Sequence, residues 1–152
     1  MKQRLIILSF LVSLAIMGAK FYAYYASGST TLLTDALESI VNVVAAAFAY
    51  YSIYLASLPR DLNHPYGHGK IEFFASGLEG VLILLAALYI FLHAWQHLYA
   101  RSELKSLDLG IIISLSSAAV NGILGYYLVS QGKSSHSPAI LADGKHLKLD
   151  AL

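Results

Sequence analysis

Residues 34 to 42 read Thr34-Asp35-Ala36-Leu37-Glu38-Ser39-Ile40-Val41-Asn42, and after them no charged side chain appears until Arg60. An uncharged run of that length crosses a hydrocarbon core of ~30 Å as a helix. The two acids and the amide therefore belong to a membrane span. At about 100° per residue, Asp35, Glu38 and Asn42 fall within a sector roughly 60° wide. A carboxylate near the bilayer centre costs at least ~2.5 kcal/mol, so these groups are expected to face a partner, a bound ion or a water-filled path. The competing reading puts them at the interfacial end of the helix, merely solvated.

The rest of the chain repeats this pattern. Hydrophobic residues make up 57% of it and charged residues 12%, with a mean hydropathy of +0.62. That is far more apolar than an ordinary soluble domain. An all-α, polytopic membrane helix bundle is expected. The absence of cysteine leaves only His, Asp, Glu and Asn to hold a metal ion. A formal net charge of +1 gives no reason to expect nucleic acid as a partner.

Met1 to Arg4 carries two positive charges ahead of an uncharged stretch to Ala19. No small-residue cleavage site follows cleanly, and apolar character resumes after Lys20, so this is read as a first span rather than a signal peptide. Lys20, near its outer end, is placed to meet an acid of the next helix. After the turn residues Ser27 to Thr30, a second helix runs from about Thr31 to Leu58. The loop from Pro59 to Gly69 has two prolines and two glycines. A third apolar run is read from Gly80 to Ala100, with His93 and His97 assigned to the interface and to no site. A charged connection follows from Arg101 to Asp108, then a fourth helix from Leu109 to Gly132 with Asn121 as its central polar group. Pro138 opens a fifth helix that carries Asp143, His146 and Asp150. At 1.5 Å per residue, Leu152 lies only ~21 Å beyond Pro138, short of a full span. Four full spans and the start of a fifth are expected. Lys2, Arg4, Arg60, Lys70 and Lys133 outnumber Arg101 and Lys105, which puts the N-terminus in the cytoplasm.

Asp143, His146 and Asp150 again share a narrow sector of one helix. If the second helix descends while the fifth ascends, Glu38 and Asn42 lie about 10 and 16 Å below the outer face, and His146 and Asp150 about 12 and 18 Å above the inner one. The expected pairs are Glu38 with Asp150 and Asn42 with His146. Four oxygen or nitrogen donors converging near mid-membrane suit a divalent cation, and the imidazole favours Zn, Fe, Co or Ni over Mg or Ca. The alternative is a non-transporting assembly module whose helices are joined by a polar cluster. In the loop, Asp61, His64 and His68 are placed to close on a second ion, with Pro65 and Gly67 turning the chain between the histidines. A di-iron enzyme is disfavoured, since six histidines without a paired His-His box supply too few ligands.

Three stretches, Thr31 to Asn42, the loop His64-Pro65-Tyr66-Gly67-His68-Gly69-Lys70-Ile71-Glu72, and Ala142 to Asp150, resemble the cation diffusion facilitator family. The loop is the most specific of the three. The resemblance implies a six-helix transporter, generally a homodimer, that moves Zn²⁺ and related divalent ions out of the cytoplasm in exchange for protons. It implies Glu38, Asn42, His146 and Asp150 as the transport site and Asp61, His64 and His68 as a cytoplasmic loop site; Asp35 and Asp143, on the same polar faces, and Asn121, in the middle of the fourth helix, are expected in supporting places. No prosthetic group is expected, only the transported cation. The lipid bilayer is read as a bacterial inner membrane. Residues 1–152 then correspond to the transmembrane domain up to part of the fifth helix, without the sixth helix or the family's cytoplasmic C-terminal domain. Zinc-transporting members usually place His or Asp, then Asp, where this chain has Glu38 and Asn42. Replacing an anionic ligand by a neutral amide moves preference toward ions content with oxygen donors, so Fe²⁺ and Mn²⁺ join Zn²⁺ as candidates.

Overall fold

In lipid every backbone N–H and C=O has to be satisfied within its own segment, which leaves an apolar chain of this kind little choice but helix. A computed structural model of the chain describes residues 2–28, 30–62, 64–97 and 107–151. Five helices follow in order: α1 Lys2–Ser27, α2 Thr30–Ala56, α3 Ile71–His97, α4 Leu107–Ser134 and α5 Pro138–Leu149. The first four each contain a stretch long and apolar enough to cross a membrane. The segment between α3 and α4 and the side chains of His93 and His97 lie outside the described residues.

One boundary departs substantially from the sequence reading. The third helix begins at Ile71, nine residues before Gly80, so Glu72 and Glu79 lie within it. Both acids are buried, Glu72 at 6% and Glu79 at 3% exposure. Each is tolerated because another element meets it. Glu72 accepts hydrogen bonds from Lys2 Nζ (3.3 Å) and Ser137 Oγ, and Glu79 lies against His146.

The helix ends follow from local chemistry. Gly28, with φ +65°, closes α1 as its N–H bonds the Tyr24 carbonyl at 2.8 Å, a left-handed cap that glycine adopts without a Cβ penalty. At the start of α5, Ser137 is extended and Pro138 occupies the first turn, where the missing N–H is no loss. The Ser137 hydroxyl does not cap its own helix. It reaches instead to Glu72 on α3 and so ties the α4–α5 turn to a neighbouring span.

The short α5 sits at the centre of the bundle, packed against α4 and, to lesser extents, α3 and α2, while α1 lies along α2 and α4. Ile6, Ile53, Leu128, Ile140 and Leu147 form the middle of the apolar core. Leu84, Phe91, Ile112, Leu115 and Ile123 point outward, as lipid-facing side chains do. Close approach of α4 and α5 depends on residues without side chains. A Cβ on Gly144 would lie 2.7 Å from the Val129 nitrogen, and one on Gly132 would lie 2.7 Å from the Leu141 nitrogen. Small residues are the usual means by which membrane helices reach van der Waals contact.

Gly144→Ala is therefore expected to lower stability by about 1–3 kcal/mol, the usual cost of overpacking. Gly77→Ala, whose Cβ would meet nothing within 4 Å, should be neutral or slightly stabilising because alanine is the better helix former. Thermal unfolding of the two variants in detergent micelles compares them directly.

Candidate metal centre

The polar faces of α2 and α5 meet through a hydrogen bond. Asn42 donates from Nδ2 to Asp150 Oδ2 at 2.6 Å. One helical turn back along α5, His146 places Nε2 3.6 Å from Asp150 Oδ1. Its other ring nitrogen, Nδ1, lies 3.3 Å from Glu79 Oε1 on α3. Asn42 and His146 are buried, and Asn42 Oδ1 has no hydrogen-bond partner among the described residues. Amide, imidazole and carboxylate thus gather from two helices inside the bundle.

Counting depth along the helices pairs Glu38 with Asp150 and Asn42 with His146; in the structure Asp150 also takes the hydrogen bond of Asn42. That count treated both helices as upright rods starting at the membrane faces. The height of α5 is instead set by its short connection to α4 and by the Ser137–Glu72 link. Glu38 lies about one turn from Asn42 along α2. It is half-buried and lines a cavity of about 250 Å³ between α2 and α3, beside Val41, Leu82 and Tyr89.

The supporting residues divide among different neighbours. Asp35 accepts hydrogen bonds from Lys20 Nζ at 2.6 Å and from Ser114 Oγ at 3.0 Å, so three helices converge on one carboxylate. Asp143 is buried and accepts a 2.6 Å bond from Ser9 Oγ of α1. The face shared by Asp143, His146 and Asp150 in the sequence is therefore split three ways: toward α1, α3 and α2. Asn121 is buried within α4.

In the loop between α2 and α3, the ligand atoms of Asp61, His64 and His68 all lie within 4.8 Å of one another. Asp61 Oδ1 accepts the His64 backbone N–H at 2.6 Å and lies 2.9 Å from His64 Nδ1, while Oδ2 is 3.4 Å from His68 Nε2. The turn closes through Gly67, whose φ of +81° suits glycine, and whose N–H bonds the His64 carbonyl at 2.9 Å. Desolvation pushes the Asp61 carboxyl up, and the hydrogen bonds from the His64 side chain and backbone, together with the imidazole charges, outweigh it and hold the group below its usual range. Asp61 is thus an anion throughout neutral pH. His68 Nδ1 is buried and has no hydrogen-bond partner among the described residues.

Glu79, Glu72 and Ser9 did not emerge from the sequence as site residues. The signal available for Glu79 was an acid flanked by Leu78 and Gly80 within apolar surroundings, seven residues after another acid and hence on nearly the same helix face. Starting the span at Gly80 hid it.

Residues 6–152 match the family model of the cation efflux transmembrane domain. The chain belongs to the cation diffusion facilitator family. This cation diffusion facilitator is 43% identical over 144 residues to an uncharacterised transporter of Synechocystis, covering 95% of this chain and 46% of that protein. It is 29% identical over 126 residues to the magnetosome protein MamB of Magnetospira, covering 83% and 43% of the two chains. To the cation-efflux pump FieF of Yersinia pestis it is 30% identical over 133 residues, covering 88% and 44%. The chain spans less than half the length of these curated relatives. Four apolar helices and family membership together make it a multi-pass integral membrane protein.

The Lys20–Asp35 contact generates a prediction of its own. Lys20→Met removes the cation that lies 2.6 Å from the Asp35 carboxylate and should destabilise, by less than the ~3–5 kcal/mol of breaking a fully buried pair because Asp35 is partly exposed. The double variant Lys20→Met/Asp35→Asn should recover much of that loss. A thermodynamic cycle in detergent separates the coupling from the single effects.

Proposed function

We propose that the protein carries divalent cations out of the cytoplasm in exchange for protons, with Glu38, Asn42, His146 and Asp150 as the transport site. Zn²⁺ is the first candidate substrate, with Fe²⁺ and Mn²⁺ next. The observation that carries this reading is the buried meeting of Asn42, Asp150 and His146 across α2 and α5, where Asn42 Oδ1 is left without a partner. Family membership supplies the class of reaction.

The Asn42 amide donates to Asp150. A cation entering between them takes over the carboxylate, and the amide rotates to offer Oδ1 in place of Nδ2. His146 contributes Nε2, and Glu38 closes in from its half-buried place one turn along α2. Ligation requires a neutral imidazole and ionised carboxylates, so loading the ion releases protons and protonation of the same groups expels it. A proton gradient directed into the cell thereby drives discharge outward. Having a neutral amide at position 42 leaves one negative charge fewer around the ion and relaxes the preference for Zn²⁺.

The same reading places the α2–α3 loop in the cytoplasm. Lys2, Glu72 and Ser137 join at one end of the bundle, and the basic residues Lys2, Arg4, Arg60, Lys70 and Lys133 lie on or next to that end, in keeping with a cytoplasmic face. Asp61, His64 and His68 then form a second cation site, supported by their clustered ligand atoms and the unpartnered His68 Nδ1. Homodimeric assembly completes the reading and rests on the family alone.

With the protein expressed from its complete native gene and reconstituted in proteoliposomes, Asp150→Ala and His146→Ala should abolish flux of Zn²⁺, Fe²⁺ and Mn²⁺. Undiminished flux in Asp150→Ala would overturn the site. Asn42→Asp should favour Zn²⁺ over Mn²⁺ by about tenfold through the added charge. Asp61→Ala should remove one of two Zn²⁺ binding events in calorimetric titration and leave the other unchanged.

A further inference from the structure

Glu79 lies in the interior of α3 with 3% exposure, surrounded by an apolar run. A buried acid in a membrane span calls for a reason. The ion-pair partner found for it is His146, at 3.3 Å from Oε1 to Nδ1. That contact is long for a hydrogen bond, and Oε1 has no hydrogen-bond partner among the described residues. On the opposite edge of the same ring, Nε2 is directed toward Asp150 at 3.6 Å. Asp150 in turn holds Asn42. The order across the bundle is thus Glu79 on α3, His146 and Asp150 on α5, and Asn42 on α2.

An imidazole can present only one lone pair when neutral, and the hydrogen bond made by one nitrogen decides which. A carboxylate at Nδ1 draws the proton to that nitrogen and leaves the Nε2 lone pair facing the other way. Here the other way is toward Asp150 and Asn42. Carboxylates placed behind metal-binding histidines characteristically orient the ring and raise its basicity, and removing one typically costs 10–100-fold in metal affinity. Glu72, seven residues earlier and hence on nearly the same face of α3, anchors the turn from which α5 starts. One face of α3 therefore fixes both the start of α5 and the ring near its end.

We propose that Glu79 is a positioning residue for the cation site: it holds the Nδ1–H form of His146 so that Nε2 is free for the ion. This rests on the reading of His146 as a ligand. It also gives α3, which contributes none of the four proposed ligands, control over the geometry of the site. The rival is a polar contact that only holds α3 to α5.

The test uses the purified full chain in detergent micelles, ZnCl₂ as the titrant, and nitrogen NMR of ¹⁵N-histidine-labelled protein with His146→Gln to assign the His146 signals. Without metal, His146 should be in its Nδ1–H form, and in Glu79→Ala the Nε2–H form should gain population. Calorimetry should show Zn²⁺ affinity at the site of His146 falling about 10–100-fold in Glu79→Ala. Glu79→Gln, which keeps an oxygen able to accept from Nδ1–H, should return most of that loss. An Nε2–H form of His146 in the metal-free wild-type chain would overturn the proposal without any variant having to fold. So would wild-type Zn²⁺ affinity in Glu79→Ala while His146→Gln loses binding, an outcome that leaves the ligand assignment standing. Wild-type affinity in His146→Gln would instead remove the transport-site reading and Glu79's role with it.

Discussion

A polar side chain inside hydrocarbon has no water to fall back on, and among the described residues the buried acids and the half-buried Asp35 and Asp150 are met by groups on other elements. Asp35 takes Lys20 from α1 and Ser114 from α4. Asp143 takes Ser9 from α1, Glu72 takes Lys2 and Ser137, and Asp150 takes Asn42 from α2. Apolar packing between spans gains little over packing against lipid tails. The polar contacts therefore do more than decorate the interfaces: they fix which helix faces which, at what height, and in which rotation.

These contacts differ in what they leave unfinished. Asp35 accepts hydrogen bonds from two neighbouring helices, and Asp143 accepts a short one from α1. Around His146 and Asp150 the bonding is partial: Asn42 Oδ1 and Glu79 Oε1 are both buried without hydrogen-bond partners, and the imidazole contacts on either side exceed 3 Å. Joints closed by short hydrogen bonds favour a rigid frame. A half-bonded cluster at the crossing of α2, α3 and α5 has unused acceptor capacity, which is what a cation with several coordination positions needs. The tight glycine-mediated contact of α4 with α5 means that any movement of the cluster's α5 half carries α4 with it.

The loop between α2 and α3 follows the opposite logic. Its carboxylate and His64 are exposed, so burial is not what brings them together. The chain does it locally, through the His64 N–H bond to Asp61 and the glycine turn that brings His68 back. Such a cluster forms from residues within eight positions of each other. It owes little to the packing of distant spans.

That contrast explains what could be read in advance. The spans, the turn at Gly28, the Asp61-His64-His68 cluster and the polar faces of α2 and α5 all follow from short-range properties: hydropathy, turn chemistry and a 3.6-residue period. The Lys20–Asp35 contact was also within reach, since it joins consecutive helices across a short turn. The pairing of Asn42 with Asp150, the turning of Asp143 toward Ser9 and the place of Glu79 behind His146 were settled by tertiary structure. Periodicity tells which residues share a face of one helix, and nothing in it sets the height or rotation of one helix against another. Here those follow from glycines too small to keep α4 and α5 apart and from a serine of the α4–α5 turn bonded to a glutamate on α3, contacts that exist only once the helices have come together.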